Sequence, residues 1–108
     1  MRWAALGDAG AVLAVMARVP GEAPDRQMRN FPALIRDCIG WRRELADNAV
    51  ADLAAVMEPG LAALLAINAR GADPRAAALA LWQEFVHARN AIINLLPPSG
   101  DHGPRRSA

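Results

Sequence analysis

The chain has 108 residues, twelve basic against eleven acidic side chains for a formal net charge of +1, and 54% hydrophobic residues of which few are aromatic. That length suits one domain with a real core, and so even a charge balance excludes a protein built mainly to neutralise phosphates. Cys38 is the single cysteine, which excludes an intramolecular disulfide and a cysteine-rich metal site.

Every cation is Arg, Thr and Tyr are absent, and Ala and Leu supply much of the apolar content. Ala and Leu favour helix, while the β-branched and aromatic residues of strands are scarce. No stretch alternates apolar and polar residues cleanly, so helix is the regular structure the composition supports. Met1-Arg2 precedes a fairly apolar stretch to Ala17, but Gly7, Asp8 and Gly10 within it argue against a secretory signal. No charge-free apolar run reaches membrane-spanning length. Cytoplasmic residence without a membrane span is the expectation.

The first helix is predicted from Asp8 as N-cap to about Arg18, with Val12, Leu13, Val15 and Met16 as its apolar surface. Val19-Pro20-Gly21 ends it, a loop follows, and Pro24 suits a short helical turn through Met28. Asn30-Phe31-Pro32 reads as a second start, with Asn30 capping and the helical pattern continuing to Met57. Leu34, Cys38, Trp41, Leu45, Ala49, Leu53 and Val56 recur at steps of three or four and read as one buried stripe. Gly40 either permits a close helix crossing or divides the segment.

Glu58-Pro59-Gly60 is predicted to interrupt the chain, and the next helix carries Leu61, Leu64, Leu65 and Ile67 to a stop at Gly71. Asp73-Pro74 then gives an N-cap followed by Pro at the first helical position. The last helix is predicted from Pro74 to about Leu96, broadly apolar, with Gln83, His87, Asn90 and Asn94 as its narrow polar side. Pro97-Pro98 ends it, and the polar residues 99–108 read as a disordered tail. The fold expectation is therefore an all-α compact bundle of four to five mostly antiparallel helices over residues 1–98, followed by that tail.

Little in the sequence carries chemistry. Glu84 and His87 share a helix face at i,i+3, which supplies half of a carboxylate-bridged di-metal site in helical bundles. Completing it requires a second copy of the chain and bridging carboxylates from Glu44 or Glu58; the plainer reading is a solvated face. Arg26, Arg29, Arg36, Arg42 and Arg43 cluster, but Asp25, Asp37 and Glu44 interrupt them, and no recognition helix or phosphate loop accompanies them. Nucleic acid is therefore not the expected partner. Ser99 and Ser107 lie in the tail, so a hydrolytic triad lacks a nucleophile, and Cys38 reads as a small core residue. No catalytic activity and no cofactor are expected.

The leading functional expectation is a non-catalytic interaction module that self-associates, as a homodimer, through its last helix. That helix has more large apolar positions than a peripheral helix needs, and Leu81, Phe85, Ile92, Ile93 and Leu96 are the candidate interface residues. The alternative is a small-molecule pocket near Trp41 and Trp82, lined also by Phe85 and Met57. A further alternative is an oligomeric nucleic-acid accessory that displays its Arg cluster repeatedly. Trp41 and Trp82 are otherwise expected in the core, and Trp3 has no evident partner.

Overall fold

The computed structural model describes residues 2–20, 26–38 and 40–96. Among them the regular elements are all helices: α1 (Trp3–Ala17), α2 (Arg26–Arg36), α3 (Gly40–Ala69) and α4 (Arg75–Ile93). The chain is all-α. The predicted loop after Pro20, the turn opened by Pro24, the Pro97-Pro98 stop and the tail 99–108 lie outside the described residues.

Helix α1 begins at Trp3, so Asp8 sits within the helix and does not cap it. Tertiary contacts hold this early first turn. The Trp3 ring stacks on Phe31 of α2, centroids 4.5 Å apart and planes at 29°, and its indole N–H donates to the Met28 carbonyl. The buried side of α1 is Leu6, Ala9, Gly10, Leu13, Ala14 and Ala17. Val12 and Val15, expected to face inward, are exposed. Small residues face the core because α4 comes very close: a Cβ on Gly10 would overlap the Phe85 ring.

Helix α2 runs unbroken through Asn30-Phe31-Pro32, so Asn30 starts no new helix. Pro32 has no N–H for the carbonyl four residues back, which is that of Met28. The helix then stops at Arg36, and α3 opens at Gly40. Gly40 therefore separates two helices, and no neighbouring atom approaches it closely enough to demand a glycine.

Helix α3 corrects two expectations. It passes straight through Glu58-Pro59-Gly60 and continues to Ala69, a length of about 45 Å at 1.5 Å per residue. Pro59 lies on the exposed side, where water can serve the carbonyl it leaves, whereas Gly60 faces α4 and a Cβ there would lie 2.6 Å from Leu81 Cδ2. Unbroken, α3 is by length and composition apolar enough to cross a membrane, yet only 22% of its most apolar stretch is buried in the molecule.

The predicted stripe on α3 is also displaced. Ala46, Leu53, Met57 and Leu64 are buried, with Val50, Gly60 and Ile67 half-buried between them. Those positions step by four and three residues, the seam of a coiled-coil-like packing. Trp41, Leu45 and Val56, expected in the core, are 51%, 48% and 44% exposed. The seam keeps Leu53 of the expected stripe but otherwise takes the next residue, 46 for 45, 50 for 49 and 57 for 56, about 100° around the helix, and small residues at 46 and 60 conceal it. Leu34 is likewise exposed and Cys38 half-buried, its thiol directed at the Leu34 carbonyl 3.4 Å away.

Helices α1 and α3 end alike. The Val19 and Arg18 N–H groups donate to the Ala14 and Val15 carbonyls at 3.0 and 3.2 Å, and those of Ala72 and Gly71 to Ile67 and Asn68 at 3.1 and 3.0 Å. This is the Schellman closure, which places its pivot residue in the left-handed region. Gly71 meets that demand at φ 78°, but Arg18 occupies the same role at φ 58°. The Asp73 carboxylate accepts the Arg75 N–H at 3.0 Å, but α4 begins at Arg75 with Pro74 in the N-cap position, one residue later than predicted.

α3 and α4 form an antiparallel hairpin, since Gly60 faces Leu81 near the turn while Arg42 donates to the Leu95 carbonyl at 2.6 Å at the far end. α1 packs most extensively on α4, and α2 touches the other three helices. The backbone is only 17 Å deep in its thinnest direction. Four helices arranged this thinly leave broad faces uncovered.

Candidate functional site

The predicted interface residues of α4 face the chain's own core. Leu81, Phe85, Ile92 and Leu96 are between 3% and 8% exposed, and Ile93 is half-buried against the same cluster. Their size is explained by intramolecular packing with α1 and α3. The expected polar side of α4 holds: Gln83, His87, Asn90 and Asn94 are all exposed.

A groove runs along each flank of α4. The first lies between α3 and α4, has a volume of about 440 Å³ and is open to solvent. Its α3 wall carries Leu45, Ala49, Asp52, Leu53 and Val56, and its α4 wall Glu84, Ala88, Ala91, Ile92 and Leu95. Trp41 stands one turn before Leu45 on the same exposed line of α3, with the Arg42 guanidinium 4.5 Å from its ring centre. The exposed line that sequence periodicity assigned to the core is thus one lip of this groove. Leu53 and Ile92, 5% and 3% exposed, are its most deeply buried lining residues, and Ala49, Ala88 and Ala91 contribute small side chains.

The second groove lies between α1, α2 and α4 and encloses about 630 Å³. Trp3, Met28, Trp82 and Phe85 give it apolar walls, and Gly7, Ala11 and Ala14 give it room. Asp8, Arg29 and Arg89 are its charged residues. Arg89 is 8% exposed, the only charged residue so deeply buried among the described residues. Its Nε and Nη2 donate to Asn90 Oδ1 at 3.3 and 3.1 Å, and its guanidinium lies 5.5 Å from the Phe85 ring centre. Sequence reading missed Arg89, because a lone Arg on a helix is by default a solvated residue.

The predicted pocket group does not assemble. Trp82 and Phe85 line the second groove together, but Met57 is fully buried in the core and Trp41 is exposed beside the first. Glu84 lines the first groove while His87 is exposed outside it. Among the described residues no three His, Cys, Asp or Glu side chains come together as a metal site, so neither Glu44 nor Glu58 joins this pair within one chain.

The Arg cluster is partly explained by helix ends. Arg42 donates to the Leu95 carbonyl in the closing turn of α4, and Arg43 Nη1 to the Arg36 carbonyl at the end of α2, at 3.4 Å. Terminal carbonyls lack intrahelical donors and favour a cation. Comparison of the chain with protein-family models, curated proteins and solved structures gives no match.

Proposed function

We propose that this protein is a non-catalytic helical interaction module that self-associates through the groove between α3 and α4. One observation carries the reading: Trp41, Leu45 and Val56 hold the periodicity of a buried helix face, yet stand half-exposed along a groove whose lining includes Ala49, Ala88 and Ala91. A ridge of large apolar side chains beside an apolar groove kept open in part by alanines is self-complementary. Under a two-fold axis, the ridge of each copy seats in the groove of the other. α4 then contributes its flank, through Ala88, Ala91 and Leu95, rather than the buried residues of its core face.

A second copy fits this face better than lipid. Asp52 and Glu84 line the groove, and a carboxylate at the centre of a bilayer costs about 2.5–3.5 kcal/mol even on insertion scales. At a protein interface both carboxylates can stay at the wet rim. The nucleic-acid reading is weaker, since Arg42 and Arg43 already serve helix-end carbonyls.

Sedimentation velocity on three charge-insertion variants tests the proposed face. Leu45→Glu and Ala91→Glu are expected to yield monomers with unchanged helicity, because both positions are exposed in the single chain. Leu65→Glu, equally apolar and 63% exposed but outside the groove, should leave association intact. Loss of association in Leu65→Glu alone would place the interface elsewhere.

A further inference from the structure

The groove between α3 and α4 carries opposite charges in its two halves. We propose that two copies meet across it with their α3 helices antiparallel, and that Arg42 of each chain pairs with Glu84 of the other. The orientation rests on self-association through this groove, and adds to it the polar contact that fixes how the copies align.

The hairpin register has Gly60 against Leu81 near the turn and Arg42 against Leu95 at the far end, which sets Val56 about level with Glu84. Arg42 therefore stands about 20 Å along the groove from Glu84, at 1.5 Å per residue of helix. Asp52 lines the same half of the groove as Glu84, and both are exposed. Glu44 and Asp47 lie a quarter-turn or more round α3 from Leu45 and Ala49, off the groove. Arg42 is held at its end by two contacts. Its Nη1 donates to the Leu95 carbonyl at 2.6 Å, and the Trp41 ring centre lies 4.5 Å from its guanidinium. A side chain ordered in this way loses less freedom when its other donors meet a carboxylate.

A two-fold interface can align the α3 helices in either sense. In the parallel sense every residue lies level with its own copy. Arg42 then meets Arg42, and two Asp52 and two Glu84 carboxylates gather within about one helical turn beside apolar surface. Like charges set together in this way oppose association. In the antiparallel sense, turned about the middle of the exposed line, Trp41 and Arg42 lie level with Val56 and Glu84 of the other chain. Symmetry makes the ion pair twice, once at each end of the groove, where it stays at the wet rim. The small residues agree with this axis. Ala49 of α3 and Ala91 of α4 line the groove at its midpoint, so the copies can approach most closely there, while Trp41, Leu45 and Val56 fill the space to either side.

The distance between spin labels on the full chain reads the orientation. Cys38→Ser removes the native thiol, and Leu65→Cys carries the label at a position 63% exposed and outside the groove. Antiparallel packing puts the two labels about 50 Å apart, because position 65 lies about 25 Å along α3 from the axis. Parallel packing leaves only the width of two packed helices and the label arms, under about 30 Å.

Charge reversal, followed by sedimentation velocity, reads the pair. Glu84→Arg should weaken association on the order of tenfold, since two attractions become two repulsions. Adding Arg42→Glu to the same chain should restore it to within about threefold. In a parallel dimer, Glu84→Arg exchanges one like-charged pair for another and changes little. If Arg42→Glu fails to fold for want of its bond to Leu95, the label distance still decides the orientation. Labels under about 30 Å apart, or a Glu84→Arg variant that associates as before, overturn the antiparallel arrangement and leave self-association standing. A folded double variant that stays weak overturns the Arg42–Glu84 pair. A monomer throughout, with no distance between chains to measure, overturns self-association and the orientation together.

Discussion

The Trp3 indole donates to the Met28 carbonyl, the group that Pro32, four residues on, has no N–H to reach. One residue thus anchors the start of α1 and supplies the donor that a proline inside α2 withholds. Trp3→Phe keeps an aromatic ring for stacking on Phe31 but removes the donor together with part of the ring surface, so it should cost at least about 1 kcal/mol in denaturant unfolding. In a Pro32→Ala background, residue 32 supplies its own N–H and the same substitution should cost clearly less. Equal costs in both backgrounds would show that the bond does not answer the proline.

Two glycines of α1 should respond in opposite directions. Gly10→Ala drives a methyl into the buried Phe85 ring, and overpacking of this kind costs about 1–3 kcal/mol. Gly7→Ala meets nothing within 4 Å and should stabilise the protein by about 0.5–1 kcal/mol through helix propensity. Thermal unfolding of the pair checks both signs.

The two Schellman closures make a second matched test. Arg18 holds a left-handed conformation at a cost of about 1–2 kcal/mol, so Arg18→Gly should raise stability by somewhat less than that. Gly71→Ala should lower it by about 1 kcal/mol. A loss of stability in Arg18→Gly would mean that the arginine side chain makes contacts worth more than its backbone strain.

Helix content, the stop at Gly71, the helix boundary at Asp73-Pro74 and the polar side of α4 were all legible, because each depends on residues within one or two turns. Pro32 and Pro59 misled, since breaks were inferred from local chemistry while neighbouring helices and solvent satisfy the affected backbone. The α3 seam misled for a related reason. Periodicity was read from the largest side chains, whereas the packed face uses Ala46 and Gly60 to admit its neighbours closely. Trp3 found its place only through α2, twenty-five residues away.

The candidate grooves were less visible still. Phe85 and Trp82 were picked out by size, but their partners come from α1 and α2, and Arg89 is set apart only by a burial that no local pattern signals. The misread stripe of α3 nonetheless retains its meaning. Residues patterned for burial and left half-exposed by one chain are the basis of the proposed interface.

Light scattering of the unmodified protein over a micromolar concentration series bears most directly on that interface. The expected result is a species of twice the 11.5 kDa chain mass that dissociates on dilution, with Leu45→Glu monomeric throughout. A monomer across the whole series, for a protein that is folded and helical, would contradict self-association.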